Sequence, residues 1–500
     1  MQQLSGLDAA FLAMETDTVT GHVGSICIVD PATVPGGVLD AERLRELVGE
    51  RLHLVPPFRR RLVGVPFGLD NPYWIEDPDF DLTYHVRALA LPAPGNDRQL
   101  AEQAGRLHAR HLDRSHPLWE MYLITGLADG RAAIYTKVHH AAIDGISGND
   151  LLAALLDRSP EGRDLPPAPP WECDEVPSQV ERLVRGAVSL TGHPLRAAKL
   201  SLDMARRLPG IATSQGRPRL PVIDRLLGRG AGAVLTSPPL RAPSTPFNKP
   251  ITRWRRWAFR TLPLDDVKAV KNAHPGTTVN DVVMALCGGA LRRWLLDHDA
   301  LPASPLVAAV PVSIRTKERE GTGGNAISAM VAPLPTHLED AGERLVAAHE
   351  AMGAAKDQHG ALPATLLTDV AQFAMPALAG QAARLSARLR VLEFLKPFNL
   401  IISNVPGPQV PLYYAGAELL ALYPLSAIAD GQGLNITVMS YRNGVYAGLV
   451  ADRELVPDLE QLADYLQEEL RVLLARTVAP PQGTRRAGRA AAHHSPSGAA

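Results

Sequence analysis

The sequence predicts a two-domain α/β (α+β) protein, and three observations predict it. The chain has 500 residues, more than one hydrophobic core ordinarily serves, so two domains of roughly 200 residues each plus connecting segments are expected. Short β-rich runs alternate with stretches of helical spacing in both halves. Between the halves lie proline-dense segments that continue neither helix nor strand.

In the first half, AERLRELVGERL (41–52) and NDRQLAEQAGRLHARHL (96–112) carry apolar residues at helical spacing. PLWEMYLITGL (117–127) and AAIYTKVHH (132–140) are β-rich runs around the turn ADGR (128–131), a hairpin signature. The run SPEGRDLPPAPPWECDEVP (159–177) then reads as a linker. Residues 178–250 are basic and close in a second proline-rich stretch, SPPLRAPSTPFNKP (237–250).

In the second half, TTVNDVVMALCGGALRRWLLDH (277–298) is a helix that Thr278 or Asn280 can cap. PLVAAVPVSIR (305–315) is a buried strand. GLNITVMSYRNGVYAGLVAD (433–452) is two strands around Arg442-Asn443-Gly444, and LEQLADYLQEELRVLLA (459–475) is an amphipathic helix that closes the domain. From Arg476 onward, bulky apolar residues almost vanish and disorder is expected. The division is therefore a first domain over 1–160, a proline-rich and basic helical linker over 161–250, a second domain over 251–475 and a tail over 476–500.

The bulk numbers exclude more than they identify. A hydrophobic fraction of 46% and a charged fraction of 21% are those of a globular chain. A formal net charge of −1 gives no global attraction to nucleic acid. Cys27, Cys173 and Cys287 form no CxxC pair, which speaks for a reducing, cytoplasmic setting and against a structural zinc site. The N-terminus lacks a basic region followed by an apolar one, so no secretory signal is read. No run of about 18 apolar residues suggests a transmembrane helix, while peripheral attachment to an inner membrane face or a lipid droplet stays open.

The chemistry concentrates in HHAAIDG (139–145), where a strand ends and ISGNDLLAALLD takes up helical spacing. Strand-to-helix turns present side chains outside a sheet end, where clefts form. Alternation along a strand sends His139 and His140 to opposite faces, so one can face a cleft while the other packs or orients it. Asp144 can fix the loop through backbone N–H groups or an arginine, and Arg315 is the first candidate partner. Gly145 leaves room where backbone or substrate comes close. A neutral imidazole accepts a hydroxyl proton at physiological pH, with neither a metal nor a nucleophilic side chain. No GxSxG elbow offers a serine alternative. A metal site built from His139, His140 and Asp144 is the chemical rival, disfavoured because no further ligand cluster is visible.

HHAAIDG resembles the HHxxxDG signature of the acyl-CoA-dependent acyltransferase superfamily. The surrounding segments resemble the bacterial wax ester synthase/diacylglycerol acyltransferase family: LDAAFL (7–12), PLWEMYLITGL (117–127), TVNDVVMALCGGALRRWL (278–295), PVSIR (311–315), ISNVPGP (402–408) and GLNITVMSYRNGVYAGLVADRELVPD (433–458). They stand in the family's order from residue 5 to 475. The resemblance implies two chloramphenicol acetyltransferase-like domains with a channel between them. It implies that His140 is the catalytic base, His139 its companion and Asp144 a structural residue. It also makes Asn280 and Asp281 a pair supporting the active-site region. Acyl-CoA enters as substrate, no cofactor is expected, and the preferred acceptor is diacylglycerol, giving triacylglycerol, with a long-chain alcohol and wax ester synthesis as the alternative.

Plainer readings stand beside these. Asn280 and Asp281 could simply cap a helix. Trp119 reads first as a packing residue, NVPGP (404–408) as a rigid turn, and His493-His494 as tail without function. The basic stretch 178–232 places Arg182, Arg185, Arg196, Lys199, Arg206 and Arg207 among apolar residues. That pattern suits an anionic lipid surface as well as a helix packed across the domain junction. A non-catalytic lipid-surface protein is the remaining alternative to an enzyme.

Overall fold

The protein is described from a computed structural model, which covers residues 1–143, 148–171, 173, 175–185, 188, 242–313, 327–360 and 397–478. Two six-stranded sheets organise it. From edge to edge, the first runs β12 (Tyr413–Tyr414), β13 (Ala417–Leu425), β2 (His22–Asp30), β7 (Ala132–His139), β6 (Trp119–Thr125) and β5 (Val86–Ala90). The second runs β10 (Ile327–Leu334), β9 (Leu306–Ser313), β11 (Leu400–Val405), β14 (Leu434–Tyr441), β15 (Gly444–Asp452) and β8 (Arg255–Pro263). A small third sheet joins β1 (Gln2–Gln3), β4 (Tyr73–Glu76) and β3 (Arg60–Val63). The helices are α1 (Gly6–Met14), α2 (Ala41–Arg51), α3 (Leu82–His85), α4 (Asp97–His108), α5 (Gly148–Leu155), α6 (Leu264–Ala273), α7 (Val279–Asp297), α8 (Ala341–Gly360) and α9 (Leu459–Val478).

The expected hairpin forms, with β6 and β7 antiparallel and Leu123 opposite Ile134. Asp129 and Gly130 both take positive φ in the connection, a backbone that Asp tolerates and Gly adopts freely. The second expected pair forms too: β14 and β15 are antiparallel, with Tyr441 facing Gly444 across the turn. Helix α4 opens with a capping box between Asn96 and Gln99. Helix α9 buries Leu459, Leu462, Ala463, Leu466, Leu470 and Leu473, the three- and four-residue spacing of one helical face. It runs three residues past the expected end at 475. Arg476 pairs there with Asp340, so residues 476–478, expected to be tail, are helical, and the rest of the expected tail lies outside the described residues.

Two features depart from the sequence division. Strands β12 and β13 come from the second half of the chain yet complete the first sheet, with Leu422 opposite Cys27. Gly448 on β15 lets them sit there, because a Cβ at that position would lie 1.9 Å from the Pro424 carbonyl oxygen of β13. The end of the expected linker also belongs to the second core. Phe247 is wholly buried, and Asn248 Nδ2 donates to the carbonyls of Asn399 at 2.8 Å and Gly431 at 2.6 Å. An aromatic anchor with satisfied amides overrides the prolines around it.

Cys27 and Cys287 are free and buried, and Cys173 is free and exposed. Burial pushes the thiols of Cys27 and Cys287 up to about 12, leaving them inert small hydrophobes. Among the described residues, no helix is long and apolar enough to cross a membrane.

Candidate active site

Strand β7 lies between β2 and β6, buried along its whole length. It delivers His139 as its last residue, and His140 begins a tight 3-10 turn over His140–Ile143. Two backbone bonds fix the pair. His139 N–H donates to Leu118 O at 2.9 Å, and His140 N–H donates to Gly21 O at 2.9 Å. Gly21 stands just before β2, whose His22 is paired with His139 across the ladder.

His140 is partly exposed, and its ring lies nearly parallel to that of Phe11, with centroids 5.0 Å apart and planes 13° apart. Burial, with a smaller contribution from the neighbouring His139, holds its imidazole down at about 4. At neutral pH it is therefore an uncharged ring with access to solvent, the state required of a proton acceptor.

His139 is buried. Its Nδ1 accepts the Ala141 N–H at 3.0 Å, so the ring proton of the neutral form belongs on Nε2. That nitrogen stands 3.2 Å from Glu15 Oε1, a short contact bent away from a straight hydrogen bond. Glu15 Oε1 also accepts the Gly21 N–H at 2.8 Å, and Arg114 Nη2 donates to Oε2 at 2.6 Å. Burial works against ionisation of this carboxyl, but His139, Arg114 and Gly21 outweigh it and hold it down at about 2. Of the two histidines, His139 packs while His140 keeps access to solvent, and each ring meets the C-terminal part of α1 or its cap, His140 at Phe11 and His139 at Glu15.

Asp144 and Gly145 lie outside the described residues, as does Arg315, so the expected Asp144–Arg315 pair does too. The pair Asn280-Asp281 divides its roles. Thr278 is the N-cap of α7, and Asp281 completes a capping box with it: Asp281 N–H donates to Thr278 Oγ1, and Thr278 N–H donates to Asp281 Oδ2 at 2.8 Å. The same carboxylate oxygen lies 2.9 Å from His349 Nδ1 on α8. Asn280 is not the cap; its Oδ1 accepts from Asn404 Nδ2 at 3.4 Å, in the NVPGP segment. These bonds all lie within the second half of the chain. Gly407 in that segment is required to be Gly, since a Cβ would meet Ser440 O at 2.1 Å.

Trp119 is a packing residue, as its setting in PLW suggested. It is wholly buried, stacks on Phe58 at 4.3 Å and on His85 at 4.5 Å, and donates its indole N–H to Phe58 O at 2.9 Å. Among the described residues, no group of three or more His, Cys, Asp or Glu could hold a metal ion. Sequence reasoning missed Glu15, Gly21 and Arg114. Phe11 lay inside LDAAFL, but nothing local marked it as the surface on which His140 rests.

Comparison with known proteins gives this turn its context. The wax ester synthase/diacylglycerol acyltransferase catalytic domain matches residues 4–283, and the C-terminal domain of the same family matches residues 323–474. The chain belongs to this family. It is similar to a provisionally named diacylglycerol O-acyltransferase of Mycobacterium tuberculosis, 38% identical over 97% of this chain and 92% of that protein. The solved wax ester synthase/diacylglycerol acyltransferase from Marinobacter aquaeolei VT8 superposes with a TM-score of 0.68 at 31% identity, covering 95% of this chain and 100% of the other. A trichothecene 15-O-acetyltransferase from Fusarium sporotrichioides, 12% identical with a TM-score of 0.53 over 94% of each chain, shares the fold alone. The two-sheet architecture is thus that of the wax ester synthase/diacylglycerol acyltransferase fold, as expected. As a member of that family the chain is an acyl-CoA-dependent O-acyltransferase, taking acyl-CoA and an acyl acceptor as substrates.

Proposed function

We propose that the acceptor is diacylglycerol, that the product is triacylglycerol, and that His140 is the general base. The observation that carries the base assignment is the ring itself: partly exposed, uncharged at neutral pH and presented at a strand end. A ring nitrogen of His140 takes the proton of the acceptor hydroxyl as its oxygen attacks the thioester carbonyl. The tetrahedral intermediate collapses with cleavage of the C–S bond, and the proton passes from His140 to the departing CoA sulfur. The step needs no covalent enzyme intermediate and, on this reading, no cofactor. His139 has its Nδ1 lone pair engaged by Ala141 and is the poorer acceptor.

The mycobacterial relatives named as diacylglycerol O-acyltransferases favour diacylglycerol. The Marinobacter enzyme's name joins that activity to wax ester synthesis, which differs only in the greasy alcohol offered to the same base. Radiolabelled acyl-CoA supplied to wild type and His140→Ala, with diacylglycerol, monoacylglycerol, long-chain alcohols and sterols in parallel, tests both points. The expected result is triacylglycerol from wild type and almost none from the variant. Equal product from both proteins overturns the base, and ester formed from alcohols alone overturns the acceptor.

An acceptor insoluble in water calls for contact with a lipid surface, and the start of the basic stretch supplies a candidate. Residues 179–185 are helical, with Val180 and Val184 well exposed beside Arg182 and Arg185. Arg182 Nη1 donates to Gly64 O at 2.6 Å, near Phe67, which is 88% exposed. Apolar side chains flanked by arginines favour an anionic interface. Arg196, Lys199, Arg206 and Arg207 lie outside the described residues. Replacing all six basic residues with Gln is expected to lower binding to anionic vesicles; unchanged binding rules out this surface.

A further inference from the structure

Two hydrogen bonds and one close contact converge where α1 meets the end of β7. Glu15 Oε1 takes the Gly21 N–H at 2.8 Å and faces His139 Nε2 at 3.2 Å. Gly21 O takes the His140 N–H at 2.9 Å. The carboxylate therefore reaches His140 by two routes, through Gly21, whose N–H it holds and whose carbonyl holds the His140 backbone, and through the ring of the residue before it.

The rest of the surroundings keep Glu15 from moving. Arg114 Nη2 donates both to Glu15 Oε2 at 2.6 Å and to Leu12 O at 2.7 Å, so one guanidinium fixes the carboxylate and the last turn of α1 together. That helix also carries Phe11, the ring stacked on His140. The loop between Glu15 and Gly21 is pinned in turn. Thr16 Oγ1 accepts from Val19 N–H at 3.1 Å, and Thr16 O lies 2.8 Å from His111 Nε2. The space is also specified: a Cβ on Gly21 would stand 2.6 Å from His139 Nε2 and 3.4 Å from Glu15 Cγ. A buried carboxylate with each oxygen occupied is a rigid fixture, because breaking either bond leaves charge unpaired in a low-dielectric site.

We infer that Glu15 is a positioning residue for His140, acting through Gly21 and His139 and relying on the absence of a side chain at Gly21. The inference rests on the reading of His140 as the base. It assigns the acidic member of this site to the C-cap of the first helix, far in sequence from HHAAIDG. Misplacing a reacting group by about 1 Å can cost on the order of 100-fold in rate. A carboxylate that touches no substrate should express that loss in kcat rather than in KM.

The experiment compares kcat and KM for acyl-CoA and diacylglycerol in Glu15→Ala, Glu15→Gln, Gly21→Ala, His140→Ala and the Glu15→Ala/His140→Ala double variant, with thermal melting as a check on folding. Glu15→Ala is expected to lower kcat by roughly 10- to 100-fold with both KM values within about twofold of wild type. Glu15→Gln keeps an acceptor oxygen for Gly21 and His139 and should recover most of that loss. Gly21→Ala, which leaves Glu15 in place, should reproduce the kcat defect and stands in if Glu15→Ala does not fold. In the His140→Ala background, Glu15→Ala should remove nothing further. A kcat for Glu15→Ala or Gly21→Ala within twofold of wild type overturns the inference, as does a Gln variant no better than Ala or a rise confined to KM. If His140→Ala keeps full activity, it is the base assignment that fails; if His140→Ala is inactive and Glu15→Ala is normal, only the positioning role fails.

Discussion

Phe11 and His140 lie face to face, 5.0 Å between ring centroids and 13° between planes. One side of the candidate base is thereby closed by an aromatic ring from the first helix, which leaves the other edges to solvent and substrate. Stacking of this kind excludes water from the imidazole and supports the low proton affinity that burial imposes.

Phe11→Ala should reverse that effect. With one face opened to water, the His140 imidazole is expected to rise from about 4 toward its ordinary 6.5. The base works unprotonated, so the acid limb of kcat/KM moves up in pH, and activity at pH 5 falls more than activity at pH 8. Phe11→Leu keeps much of the cover and should shift the limb less. A pH–rate series on the three proteins reads the limb directly; an unmoved limb in Phe11→Ala means Phe11 is not what shields the ring.

In the wild type the same sign argument gives a broad neutral plateau. The group loses its proton at about 4, so kcat/KM is expected to stay level from pH 8 down to about 5 and to fall below that as His140 takes up a proton. Far-ultraviolet circular dichroism at each pH separates this titration from acid unfolding. A limb centred near 6.5 contradicts the shielded ring.

Trp119 should govern stability rather than chemistry. Trp119→Ala empties a wholly buried site between Phe58 and His85 and is expected to cost about 3–5 kcal/mol. Trp119→Phe keeps stacking surface but leaves the Phe58 carbonyl without its indole donor, a loss of about 1–3 kcal/mol. Chemical denaturation followed by fluorescence of the remaining tryptophans measures both.

Asp281 and Asn280 should separate in the same way. Asp281→Ala removes one half of a capping box and the bond to His349, with an expected loss of about 1–2 kcal/mol and kcat per folded molecule unchanged. Asn280→Ala gives up only the long bond to Asn404 and should leave the melting temperature within a degree or two. A large kcat loss in Asp281→Ala at intact folding would assign it to the chemistry after all.

The candidate site was legible in part. HHAAIDG announced itself because a strand, a histidine pair and an Asp-Gly turn are all local patterns, and the β6–β7 hairpin that carries it formed as read. The capping role left open for the Asn-Asp pair fell to Asp281, through its own neighbour Thr278. Glu15, Gly21 and Arg114 carried no such signature. An acidic residue at a helix end, a glycine before a strand and an arginine in a loop occur everywhere, and only their meeting beside His139 gives them a role.

What the sequence by itself determined is helices α2, α4, α7 and α9, strand β9, the β6–β7 and β14–β15 pairs and the chemistry offered at 139–145, since periodicity, capping and turn residues act over a few positions. Tertiary structure alone decided that β13 completes the first sheet, that Phe247 belongs to the second core, and that both histidines rest against α1 or its cap. The reason is physical. A buried face is written in the spacing of apolar residues, but which face it meets depends on how all the elements pack together. A hydrogen bond between Glu15 and Gly21, or a ring of Phe11 on His140, exists only once that packing is complete.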